Sequence, residues 1–144
     1  MPLSQIAARA VANKLPKVIN PTAHAVIDYA MAGMFFALGA YFWRNNKRAA
    51  LGAMLCGSAT VATSMLTDYP GGVKRVISFE THGKIDAGLA GLTATMPNFM
   101  AFNDEDEANF FRTAALAETV VTGLTDFEAP TGKVIEIPRQ QEWA

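Results

Sequence analysis

The chain repeats itself. His24 and Asp28 fall on His82 and Asp86 at an offset of 58 residues. In the same register Leu66, Thr67, Asp68 and Tyr69 fall on Leu124, Thr125, Asp126 and Phe127, with no gap between the two blocks. Ile27 on Ile85, Ala32 on Ala90, Gly33 on Gly91 and Asn45 on Asn103 follow suit. A chain written this way makes one supersecondary unit twice and must bury the exposed face of each copy against the other.

The unit reads as helix, polar turn, helix. The first copy predicts helices over Thr22–Trp43 and Ala49–Tyr69, joined by the basic turn Arg44, Asn45, Asn46, Lys47 and Arg48. The second predicts helices over Thr81–Phe102 and Glu107–Phe127, joined by the acidic turn Asp104, Glu105, Asp106 and Glu107. Pro97 lies inside the third helix and must kink or shorten it. The hairpin repeats therefore occupy 22–69 and 80–127 of a single all-α domain spanning 1–144.

Lipid is the solvent this composition suits. Of the 144 residues, 51% are hydrophobic and 17% charged, against roughly 25% charged in ordinary soluble domains. Ala49 to Thr67 carries no charge and Val18 to Trp43 only Asp28, each close to the roughly 20 residues a bilayer requires. The fourth helix fits least well, because Arg112 and Glu118 interrupt it, and a water-soluble bundle is the alternative. Small residues four apart, Gly33 with Ala37 and Ala53 with Gly57, suit close helix contact in a membrane. Tyr41, Phe42 and Trp43 beside Arg44 suit its interface. The expected architecture is thus a four-helix transmembrane bundle with membrane lipid around it.

Two crossings per repeat bring both copies in from one side. Arg9, Lys14, Lys17, Lys74, Arg75, Lys84, Lys133 and Arg139 then share that side, which places both termini in the cytoplasm. Residues 1–17 read as an amphipathic N-terminal arm rather than a secretory signal, and 128–144 as an extended C-terminal tail around Pro130, Gly132 and Pro138. A net charge of -1 with dispersed bases excludes a nucleic-acid surface. Cys56 is the single cysteine and has no intrachain disulfide partner.

Helical hairpins gather His24, Asp28, Asp68, His82, Asp86 and Asp126 at one end. His and Asp four residues apart share a helical face within each copy. Three readings stay open for this cluster. It caps and cross-links the bundle, since Asp in a turn satisfies backbone groups and His donates to Asp across repeats; Thr67 and Thr125 suit the capping role. Or it ligates a metal through imidazole and carboxylate, although no Glu-x-x-His pair of the di-iron type is present. Or His24 and His82 bind haem or a chlorophyll-type pigment. No cofactor is required by the sequence.

Glu118 stands apart, because a carboxylate in mid-span marks a functional site by default. Its repeat mate is Thr60, so the symmetry does not demand it. Pairing with Arg112, a hydrogen bond to a neighbouring Thr, and a partner contact are its candidate roles. Ser58, Ser64, Ser78 and Cys56 lie in no nucleophile motif, and no glycine-rich phosphate loop follows a strand, so no catalytic residues are expected.

From Met96 through Pro97, Asn98, Phe99, Met100, Ala101 and Phe102 into the acidic turn, the chain resembles the bacterial SPW-repeat membrane proteins. In that family a Ser-Pro-Trp motif closes a transmembrane helix ahead of an aromatic, a small residue, a second aromatic and a polar turn. Pro97 alone of the tripeptide is kept; Met96 and Asn98 replace the other two, and Gly39 stands in the first copy. The resemblance covers the hairpin plan and this motif, and implies a small four-helix protein of the bacterial inner membrane without catalytic residues to carry over.

The function expected on these grounds is that of a non-catalytic structural or accessory subunit contacting other membrane-protein subunits. A haem, pigment or metal carrier using His24 and His82 is the alternative, and a small transporter the third.

Overall fold

A computed structural model describes residues 15–132, and within them the chain is all-helical. Four helices follow in order: α1 Pro21–Phe42, α2 Lys47–Leu66, α3 Phe79–Phe99 and α4 Glu107–Leu124. The N-terminal arm expected over 1–17 and the tail expected over 128–144 lie for the most part outside the described residues.

Local chemistry sets the starts. Asn20 caps α1 by accepting from the Ala23 amide at 2.8 Å, with Pro21 pre-set for the first turn. Asn46 caps α2 through the Ala49 amide at 3.0 Å, and Ser78 caps α3 through Thr81 at 3.1 Å. The helix ends come earlier than the repeat pattern predicts. α2 stops at Leu66 and α4 at Leu124 because Thr67 and Thr125 turn extended, with ψ of 140° and 135°. Each then pairs in parallel with a strand-like residue ahead of a helix, Thr67 with Ile77 and Thr125 with Ile19.

These bridges are repeat-symmetric down to single bonds. The Ile19 amide donates to Leu124 O at 3.0 Å and the Ile77 amide to Leu66 O at 2.9 Å; Asp126 N returns to Ile19 O at 3.0 Å and Asp68 N to Ile77 O at 2.7 Å. Each copy's leading segment is thus stitched to the last turn of a helix, Ile77 within the inter-helix connection and Ile19 across the length of the chain.

α3 ends two residues after Pro97, so the proline shortens the helix. The end is a Schellman turn: Phe102 N donates to Pro97 O at 2.8 Å and Ala101 N to Asn98 O at 3.3 Å. Ala101 takes the left-handed position there, with φ of 57°.

The apolar core fills the turn end of the molecule. Phe35, Phe42, Met96, Phe102 and Phe111 are buried there over Ala49, Ala50 and Ala53. Glycine lets the helices approach: a Cβ on Gly52 would stand 2.9 Å from Met96 Cγ, and one on Gly57 3.0 Å from Phe35 Cβ. Of the two small-residue pairs expected at contacts, Ala53 with Gly57 is one. Gly33 has nothing within 4 Å and Ala37 is exposed, so that pair makes no contact inside the bundle; Gly39, against Ala53 and Ala50, provides the close approach on α1. Two helices, α1 and α2, are long and apolar enough to cross a membrane, each with a mean hydropathy of 1.5 over its best window. Exposed apolar side chains nevertheless occur on all four, among them Val26, Leu51, Leu55, Leu92, Leu116 and Val120.

Candidate functional site

At the opposite end the first turns of α1 and α3 meet. His24 and Asp28 project from α1 and His82 and Asp86 from α3, and the two imidazoles are each only 1% exposed. One ligating atom from each of the four lies within 4.8 Å of every other. The nearest approaches are shorter. His24 Nε2 stands 3.1 Å from His82 Nε2, 3.0 Å from Asp86 Oδ2 and 3.3 Å from Asp28 Oδ1. His82 Nε2 stands 3.1 Å from Asp28 Oδ2 and 3.0 Å from Asp86 Oδ2.

The other ring nitrogens determine what this arrangement contains. His24 Nδ1 lies 2.8 Å from Thr125 Oγ1 and His82 Nδ1 2.7 Å from Thr67 Oγ1, so each copy's histidine is held by the other copy's threonine. Each hydroxyl proton is already spent within its own helix: Thr67 Oγ1 donates to Thr63 O at 2.6 Å and Thr125 Oγ1 to Val121 O at 2.7 Å. A hydroxyl has one proton, so both threonines must accept from the histidines. Both Nδ1 atoms therefore carry hydrogen, and in the neutral imidazoles both Nε2 lone pairs face the centre. Two lone pairs and two carboxylates converge there with no donor of their own. Such a centre requires a cation, either protons on Nε2 or a metal ion.

Its dimensions suit a metal. A tetrahedral ion with bonds of roughly 2.0–2.2 Å needs ligand atoms about 3.3–3.6 Å apart, a few tenths of an ångström beyond the approaches found. Two carboxylates balance a divalent charge. The threonines supply the outer hydrogen bond that orients a ligating imidazole and leaves the metal-facing nitrogen bare.

The two carboxylates are not equivalent. Asp28 Oδ2 accepts from Tyr69 OH at 2.9 Å and Ser64 Oγ at 3.2 Å. Burial first, and the charge of Asp28 after it, push the Tyr69 phenol above its ordinary range, so it remains a donor. The repeat mates of Tyr69 and Ser64 are Phe127 and Thr122, and among the described residues Asp86 has only the two imidazoles within hydrogen-bond distance and no hydroxyl. Its remaining side opens on a cavity of about 30 Å³ lined by His24, Asp28, Asp86, Thr60, Thr122 and Glu118, with apolar walls. Glu118 accepts from Thr93 Oγ1 at 3.3 Å through Oε1, while its Oε2 is buried without a partner.

An aromatic wall closes the end. Phe79 and Phe127 stand edge-on to His24, with ring centroids 5.4 and 5.2 Å away, and Tyr69 packs 5.3 Å from His82. Gly83 makes room for Phe127, since a Cβ there would meet its ring at 2.8 Å.

Of the six residues expected to converge, the structure brings four together. Asp68 and Asp126 are corrected: Asp68 pairs with Arg75 at 3.4 Å at the surface, and Asp126 accepts from Glu128 N at 3.2 Å. Successive side chains in extended backbone point to opposite sides, so turning Thr67 and Thr125 inward turns the following aspartates out. The two threonines, expected only as caps, are the imidazoles' partners. Their signal was present in the repeat, because both stand in the matched Leu-Thr-Asp blocks. Arg112 and Glu118 do not pair. Arg112 binds Asn103 Oδ1 at 2.9 Å and Asn109 Oδ1 at 3.2 Å on the exposed side of α4. Haem or pigment ligation by both histidines would need the imidazoles to stand apart to admit a macrocycle. Here the Nε2 atoms nearly touch, and the adjoining space is the size of a water or two.

No protein-family model, no curated protein and no solved structure matches this chain.

Proposed function

We propose that this chain is a small integral membrane protein that holds one divalent transition-metal ion between its two repeats, through His24, Asp28, His82 and Asp86. The observation that carries the reading is the pair of imidazoles, each held at Nδ1 by a threonine, aiming their Nε2 atoms at two carboxylates. Two nitrogens with two oxygens suit zinc or ferrous iron. They offer neither the all-oxygen shell of calcium or magnesium nor the sulfur of a cuprous site.

All four helices cross the bilayer in this reading. Exposed Leu92 and Phe99 on α3 and Leu116 and Val120 on α4 support that placement, with Asp86 and Glu118 lining the inner cavity and Arg112 in the second turn of α4, just after the α3–α4 connection. The hairpin plan resembling the SPW-repeat proteins agrees with it. Lys17, Lys74, Arg75 and Lys84 lie at the metal end, which puts that end and both termini on the cytoplasmic side of a bacterial inner membrane. The protein acts there as a metal-bearing accessory subunit, and its exposed small-residue face at Gly33 and Ala37 offers other membrane subunits a close approach.

Metal analysis of protein extracted in mild detergent tests this. About one zinc or iron per chain is expected, lost in Asp28→Asn combined with His82→Ala. A metal-free preparation that stays folded and takes up no added zinc would assign the tetrad to proton-bridged cross-linking instead.

A further inference from the structure

The cavity beside the tetrad touches three of the four ligands, His24, Asp28 and Asp86, and leaves His82 on the far side. A structural metal centre is closed by its four protein ligands, whereas a reactive one keeps a position for solvent. Here the opening lies on the side of Asp86, the carboxylate that no hydroxyl holds, while Asp28 is fixed by Tyr69 and Ser64. Across the cavity stands Glu118, whose Oε2 is buried and lacks a partner among the described residues. A buried oxygen left without a partner is destabilising, which favours a donor in the cavity beside it. Its repeat mate is Thr60 on the same cavity, so the carboxyl belongs to one copy only and is not a requirement of the symmetric frame.

Resting on the metal reading above, we propose that the bound ion presents a fifth, exchangeable position to this cavity, and that a water molecule there is hydrogen-bonded to Glu118 Oε2. The volume, about 30 Å³, suits one or two waters or a similarly small ligand. Its lining sets the ligand class. The two ligand aspartates already neutralise a divalent ion and Glu118 faces the same space, so an anion is disfavoured and the ligand that replaces water is small and uncharged. Ile27, Met31, Leu89 and Val121 form the apolar walls that such a molecule would pass.

Cobalt(II) reads the coordination number directly, because tetrahedral cobalt absorbs visible light several-fold more strongly than five-coordinate cobalt. The wild-type protein loaded with cobalt should show weak five-coordinate bands. Glu118→Leu, which fills the cavity and removes the polar partner, should raise the absorption several-fold toward the tetrahedral form, while Glu118→Gln should keep the wild-type intensity. Intense tetrahedral bands in the wild type, unchanged in Glu118→Leu, overturn the open position and leave the metal site standing. Failure of the wild type to take up any cobalt overturns the metal reading and this inference together. Should Glu118→Leu not fold, wild-type protein loaded with manganese(II) decides the matter: exchange of a bound water enhances water-proton relaxation, and an outer-sphere effect alone refutes the inference.

Discussion

The two ends of this molecule treat the same repeat in opposite ways. At the histidine end the copies contribute identical residues: His24 with His82, Asp28 with Asp86, and Thr67 with Thr125, which cross to hold each other's histidine. At the turn end, matched positions carry opposite charges. Lys47 and Arg48 occupy the places of Glu105 and Asp106, and the two turns meet as unlike partners. Arg48 binds Glu105 and the carbonyl of Ala101, and Asn46 binds Glu105 and Glu107. Symmetry is kept where two imidazoles and two carboxylates converge on one centre from both sides. It is abandoned where two surfaces need only attract, and where Phe35 packs over Gly57 and Phe111 beside Gly52 while their own repeat mates are Thr93 and Ala53.

The difference predicts a gradient of consequences. Replacing a ligand has the largest effect: His24→Ala or His82→Ala should each abolish high-affinity metal binding and remove all metal-dependent thermal stabilisation, as read by a thermal shift in detergent with and without zinc. Next come the threonines. Thr67→Val and Thr125→Val should each weaken zinc binding by about 10–100-fold, and by similar factors, since their roles are symmetric. Unequal losses in a competition titration would break the comparison.

Tyr69→Phe makes the first copy resemble the second, where Phe127 stands. The loss of one buried hydrogen bond to the Asp28 carboxylate should cost about 1.5–3 kcal/mol of unfolding free energy, measured on the metal-free protein. At the other end Ala101→Gly should stabilise by about 1 kcal/mol, because the left-handed position penalises a Cβ. Arg48→Ala should cost no more than about 1 kcal/mol, its ion pair with Glu105 being half exposed. Neither of these should move the zinc affinity; a shift in either would mean that the ends are coupled.

Much of this was legible in the residues. A register of 58 fixes which positions are equivalent, so two hairpins and the meeting of His24, Asp28, His82 and Asp86 follow from it. The helix ends did not follow, because Thr67 and Thr125 leave the helix for a parallel pairing with Ile77 and Ile19 that helical periodicity does not encode. That departure also reverses Asp68 and Asp126, which periodicity places with the cluster and extended backbone sends to the surface. Small-residue spacing points to Gly33, which has Ala37 four positions on, and passes over Gly39, flanked at that distance by Phe35 and Trp43; only packing against Ala53 and Ala50 reveals Gly39 as the contact. Glu118 was visible as a charge out of place. Its partner Thr93 and the cavity it faces depend on how α3 and α4 dock.

The central claim is that both copies share one ion. Zinc titration of the metal-free protein, followed calorimetrically, tests it most directly: one equivalent should bind per chain, and His24→Ala alone or His82→Ala alone should each eliminate that event entirely. Two equivalents in the wild type falling to one in either variant, or an unaltered single event in both, would contradict it.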